Sequence, residues 1–205
     1  MIDNAPIIIT GYAILGAGIK YIDQAYDLGV FSKTRANITA VLCGLLMAYF
    51  IVTDLPSMAI FLAMVIALAI TRKIDNIAFY IGIGIVLLLP IVFNSLIKMN
   101  WLPFGVLVIS GILDELGNDW ADKRAKKRRI NRYQKNASLL QFEEKFFAYR
   151  FAMKVAILIL VLLNYFDWIY FAAFLFFDLM YLLVDAYSLS IKVYSINKAI
   201  MPVSK

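Results

Sequence analysis

Histidine is absent from the 205 residues, and cysteine occurs once. The first absence excludes Ser-His-Asp and Cys-His catalysis, His-ligated zinc and haem, and the side chain that ordinarily titrates near neutral pH. The second excludes an intramolecular disulfide, and Cys43 by itself makes no metal site. Charge is also scarce, at 17% of residues. Any chemistry therefore falls to Asp, Glu, Lys, Arg, Asn, Tyr and bound ions.

Apolar residues are abundant instead. They make up 63% of the chain, and the mean hydropathy is +0.80. A soluble domain is nearer half apolar, so this excess calls for an apolar solvent. The expected fold is an all-α, polytopic integral membrane bundle, with residues 1–205 as a single membrane domain in the cell membrane. Seven apolar runs mark the candidate spans: 5–22, 37–53, 55–71, 76–97, 101–114, 151–166 and 168–187. Several are shorter than the ~20 residues a straight span needs, so their polar ends are expected to carry the helices through the interface. The chain begins Met1-Ile2-Asp3 without a basic leader, and the first span is expected to be retained.

Charge sets the expected orientation. With seven spans, Lys20, Lys33, Arg35, Arg72, Lys73, the run from Lys123 to Lys135, Lys145, Arg150, Lys154, Lys192, Lys198 and Lys205 fall on one side, and Lys98 alone on the other. The positive-inside rule then places the N-terminus outside and the C-terminus inside. The run from Lys123 to Lys135 holds eight Lys or Arg, a topology anchor that anionic lipid headgroups would attract. It has no aromatic platform or recognised module, so nucleic acid is not an expected partner. Beyond it, Leu139, Phe142, Phe146 and Tyr149 recur at helical spacing, the pattern of an amphipathic helix lying in the cytosolic interface.

The acidic residues gather at one side of the membrane. Spans one, three, five and seven end there with Asp23 and Asp27, with Asp75, with Asp114, Glu115, Asp119 and Asp122, and with Asp185. Asp23 and Asp27 are spaced i,i+4, and Glu115, Asp119 and Asp122 form an i, i+4, i+7 stripe if the helix continues that far. Like charges at this spacing cost a helix a few tenths of a kcal/mol per pair, which cations can offset. Three short segments also resemble one another: Gly18-Ile-Lys-Tyr-Ile-Asp-Gln, Ile70-Thr-Arg-Lys-Ile-Asp-Asn and Gly111-Ile-Leu-Asp-Glu-Leu-Gly-Asn.

Carboxylates from several helices meeting just inside the membrane suit Mg²⁺, which bridges one or two carboxylates to phosphate oxygens and keeps several waters. The expected catalytic residues are Asp23, Asp27, Asp119 and Asp122. Metal ligation draws on these four with Asp114 and Glu115, and Asp75 is an alternative. Lys20, Arg72, Lys73, Asn118, Lys123 and Arg124 are the expected substrate contacts, supplying charge to phosphate. The competing structural reading makes Lys20–Asp23 and Arg72–Asp75 plain i,i+3 salt bridges.

Asn118-Asp119-Trp-Ala-Asp122 resembles the opening of the Asn-Asp-x-x-Asp motif of UbiA-type intramembrane prenyltransferases. Asp23-Gln-Ala-Tyr-Asp27 is similar to their second motif, Asp-x-x-x-Asp. The resemblance implies Mg²⁺ held by these acids and a prenyl diphosphate substrate. The likeness is confined to the two segments. They stand here in reverse order, Lys126 replaces the third Asp of the first motif, and the spans are fewer than that family uses.

A second reading is a transporter of a small solute or cation. Asp178 lies near the middle of span seven, where a charged Asp costs roughly 2.5–3.5 kcal/mol. Asp178, Tyr181 and Asp185 share a helix face, a stripe that reads either as a proton or cation path or as a polar helix–helix contact, and Asp185 is expected to meet Lys154 or Arg150. A third reading is a non-catalytic membrane subunit. Gly16-Ala-Gly18 and Gly82-Ile-Gly84 are expected to permit close helix packing.

Overall fold

The computed structural model describes residues 5–130 and 151–200, with side chains for all of these except 121, 122, 124–130 and 196–200. These residues form seven α-helices and no strand: α1 Ala5–Asp27, α2 Lys33–Thr53, α3 Leu55–Ile70, α4 Ile77–Val92, α5 Trp101–Ile130, α6 Phe151–Leu162 and α7 Trp168–Ile200. A 3₁₀ turn, Ser95–Lys98, follows α4. The all-helical expectation is met.

Among the described residues, three helices are long and apolar enough to cross a bilayer: α1, α2 and residues 168–195 of α7. The helices α3, α4 and α6 are apolar but shorter. The boundaries also depart from the expected spans. The first and last helices overrun theirs, and α5 continues well past residue 114 into the charged segment. The fourth and sixth stop early, at left-handed Asn94 (φ 51°) and Asn164 (φ 60°), which reverse the chain. Asparagine tolerates that backbone better than most residues, so the ends are fixed locally rather than by where hydropathy fades. The expected interfacial helix around residues 139–149 lies outside the described residues.

Neighbouring helices close a ring. α1 packs on α7 and α2, α2 on α3, α3 on α5, α5 on α6, and α6 returns to α7, while α4 lies against α2. Inside, Leu15, Ile51, Phe61, Leu107, Ile157 and Leu160 are fully buried. Tyr12 is buried with them and donates its hydroxyl to Ser57 Oγ at 2.8 Å. Outside, Leu42, Leu88, Ile91, Phe93, Leu162 and Leu163 are each about 60% exposed or close to it on apolar faces, a surface suited to hydrocarbon. Trp101 and Trp168 stand exposed at helix starts, as an aromatic belt requires.

Small residues set the closest approaches. A Cβ on Gly16 would overlap the Phe177 carbonyl, so α1 and α7 touch backbone to backbone. A Cβ on Gly44 would sit 3.0 Å from the Gly82 carbonyl oxygen, which brings α2 against α4. A Cβ on Gly84 would meet nothing within 4 Å, so its glycine is not needed for packing. Gly16→Ala must push α7 away and should cost about 1–3 kcal/mol. Gly84→Ala should leave stability unchanged or slightly raised, because alanine favours helix. Thermal unfolding of the two variants in detergent checks both, and equal melting temperatures would refute the backbone contact.

Candidate functional site

A cavity of about 500 Å³ lies at the end of the ring where α1 and α3 finish and α4 and α6 begin. Its walls bring together most of the candidate residues. Lys20, Asp23 and Asp27 come from α1, Arg72, Lys73 and Asp75 from the α3–α4 connection, Asp114, Glu115, Asn118 and Asp119 from α5, and Asp178 from α7. All three of the mutually similar segments therefore meet here. They do not share a backbone: the first and third are helical, whereas the second leaves the helix after Ile70. Met64, Val65, Ile83, Phe174 and Phe177 give the same cavity an apolar wall. Asp122, Arg124 and the basic run beyond them lie outside the residues whose side chains are described, except Lys123, which is exposed.

The carboxylates are organised around lysines. On one wall, Lys20 Nζ lies 2.8 Å from Asp23 and 3.1 Å from Asp185, and sits over the Tyr181 ring at 4.9 Å. The i,i+3 bridge expected between Lys20 and Asp23 is present. Asp185 also accepts from the buried Gln24 amide at 2.7 Å, which ties α1 to α7. On the opposite wall, Lys73 Nζ lies 2.8 Å from both Glu115 and Asp119 and donates to the Glu115 carbonyl at 3.1 Å. Burial is the largest single influence on Lys73 and would lower its pKa. The hydrogen bonds and charges of Asp119 and Glu115 together outweigh it and hold the pKa above the ordinary lysine value, so Lys73 stays charged.

Two acids have structural work, and for Asp114 the sequence reading missed it. Asp114 is buried, and its two oxygens accept the backbone N–H groups of Ala152 and Met153, each at 2.8 Å. It thus satisfies the first turn of α6, where helix N–H groups otherwise lack partners. Asp178 pairs with Lys154 at 2.7 Å, joining α6 to α7. This corrects the expected Lys154–Asp185 pair. The register of the α6–α7 hairpin sets Lys154 against Asp178, about two helical turns nearer the loop than Asp185, which pairs with Lys20 of α1. The clue was available: each helix of that hairpin carries one charge deep in its apolar stretch.

The expected Arg72–Asp75 bridge is absent among the described residues, because α3 ends at Ile70 and the i,i+3 geometry of a helix no longer applies. The end of α3 is a Schellman turn. Arg72 N–H bonds the Ala69 carbonyl at 3.2 Å and Lys73 N–H reaches back to Leu68 at 3.0 Å. Arg72 occupies the left-handed position, φ 56°. That backbone costs a side-chain-bearing residue roughly 1–2 kcal/mol relative to glycine. It also turns Arg72 and Lys73 toward the cavity.

Among the described residues no three acids or cysteines come close enough to hold a metal ion by themselves. Asp27 and Asp75 are exposed, make no salt bridge among the described residues, and lie within electrostatic range of each other. Seven acidic and three basic side chains line the cavity, so its field favours a cation. That donor set fits Mg²⁺ held by one or two carboxylates with phosphate and water completing its shell, and does not fit an all-protein cage.

No protein-family model, curated protein or solved structure matches this chain. The likeness to the two aspartate motifs of UbiA-type enzymes therefore rests on those residues alone.

The backbone-accepting role of Asp114 predicts that Asp114→Asn loses about 1–3 kcal/mol of stability, since hydrogen bonds to a charged acceptor weaken. Asp119→Asn, on a half-exposed side chain, should lose less than about 1 kcal/mol. Chemical or thermal unfolding in detergent reads both, and a fully stable Asp114→Asn would place that acid outside the helix junction.

Proposed function

We propose that this chain is a multi-pass membrane enzyme acting on a lipid that carries a phosphate or diphosphate, held as its Mg²⁺ complex. The observation that carries the reading is the single cavity in which seven acids and three bases stand beside an apolar wall. A ligand with a polyanionic head and a hydrocarbon tail matches both surfaces. The excess of acids would repel the bare anion, so the metal must come with it.

In this reading the seven helices span the membrane with the N-terminus outside, which turns the cavity toward the cytosol and its lysines and arginine toward the positive side. Asp27 and Asp75, neither tied to a lysine, would hold Mg²⁺, with Asp23 and Asp119 alongside. The ion would withdraw charge from the phosphate oxygens and stabilise a departing phosphate or diphosphate. Lys20 and Lys73, each fixed by two carboxylates, position the metal-binding acids and keep the walls apart without loss of charge. Met64, Phe174 and Phe177 exclude water from the tail. The basic run that begins at Lys123 would rest on anionic headgroups.

A transport reading has one observation in its favour, the presence of Asp178 in the same cavity. Its ion pair with Lys154 would have to open in each cycle, which is costly for buried partners.

Ligand binding should appear as stabilisation. With MgCl₂ and a prenyl diphosphate at ~100-fold above the dissociation constant, the gain is about 2.7 kcal/mol. For a chain of this size that is on the order of 5–10 °C in melting temperature. The shift should vanish with EDTA and in Asp27→Asn and Asp75→Asn, and persist in Asp178→Asn measured against its own ligand-free baseline. A shift lost only in Asp178→Asn would favour transport, and a wild type that does not respond would remove the diphosphate reading.

A further inference from the structure

We infer that Arg72 is the residue that grips the phosphate oxygens in this cavity, an inference that rests on the phosphorylated-lipid reading of the site. Three cations line the cavity, and two are already committed. Lys20 and Lys73 each hold two carboxylates within 3.1 Å. Arg72 makes no salt bridge among the described residues, so its guanidinium is the cavity cation with donors to spare. A guanidinium presents paired N–H groups in a planar fork that matches two oxygens of a phosphate, which an ammonium does not.

The backbone gives an independent reason. Four described residues adopt a left-handed φ. Three of them, Gly29, Asn94 and Asn164, are the residue types that this position ordinarily selects. Arg72 is the fourth, and the only one of the four that lines the cavity. A helix end that glycine would close with less strain carries instead the side chain that an anionic ligand needs. Backbone stability and side-chain chemistry pull in opposite directions at this one position, which is the pattern of a residue kept for what it contacts.

The opposition yields a test with separable outcomes. Full-length wild type, Arg72→Gly and Arg72→Lys are melted in detergent with MgCl₂ alone, with MgCl₂ and inorganic pyrophosphate, and with MgCl₂ and farnesyl diphosphate. Ligand-free Arg72→Gly should melt at or above the wild-type temperature, yet lose more than half of the ligand-induced rise. Arg72→Lys should keep an intermediate rise, because charge survives and the fork does not. A larger rise with farnesyl diphosphate than with pyrophosphate in wild type assigns the ligand to lipids. Equal rises in wild type that Arg72→Gly loses support Arg72 as the phosphate contact and overturn the lipid part of the reading. A wild-type response that Arg72→Gly fully retains overturns the role of Arg72 and leaves the reading of the site intact. A ligand-free Arg72→Gly that melts well below wild type makes Arg72 a structural residue and overturns the inference. No response from wild type to either phosphate overturns both.

Discussion

A lysine clamped between two carboxylates is the interaction on which this architecture depends. In an apolar ring of helices an unpaired charge is expensive, and pairing costs least when both partners are held in place. Lys73 meets Glu115 and Asp119 across the junction of the α3–α4 connection and α5, and Lys20 meets Asp23 and Asp185 across α1 and α7. Each clamp joins elements far apart in sequence, and each lies within one wall of the cavity. The walls are therefore complete before any ligand arrives. The space between them stays open because no described salt bridge crosses it.

Two further contacts brace this frame. Asp114 seats the start of α6 on α5, and Lys154 with Asp178 locks α6 to α7. Backbone contact at Gly16 draws α7 against α1. Going round the ring, polar locks at the cavity end alternate with apolar packing through Tyr12, Phe61 and Ile157 deeper in. The result is an acid-rich cup at a helix-end surface with an apolar side wall.

Much of this was legible in the residues. Hydropathy gave seven helices in nearly the right places, because each must bury or expose a continuous apolar stripe whatever its neighbours do. The spacing of Asp23 and Asp27, and of Glu115 and Asp119, put them on shared helix faces, and those faces do line one cavity. Helix ends were less legible. Hydropathy fades gradually, whereas Asn94, Asn164 and Arg72 end their helices in a single left-handed step. Partner choice was least legible of all. Whether Lys154 pairs with Asp178 or Asp185 depends on the register between two helices, which spacing along one chain does not encode. Whether Asp114 binds a metal or a helix N-terminus depends on where α6 begins, and nothing local to Asp114 reports that.

The claim at the centre of the account is that Lys73 holds the α3–α4 connection to α5 through Glu115. A double-mutant cycle on Lys73→Met and Glu115→Gln, read by thermal unfolding of the detergent-solubilised protein, tests it most directly. The account predicts that the double variant is less destabilised than the two single losses added together, with a coupling of about 1–3 kcal/mol. Losses that add to within about 0.5 kcal/mol would contradict it, because two side chains that do not touch do not couple.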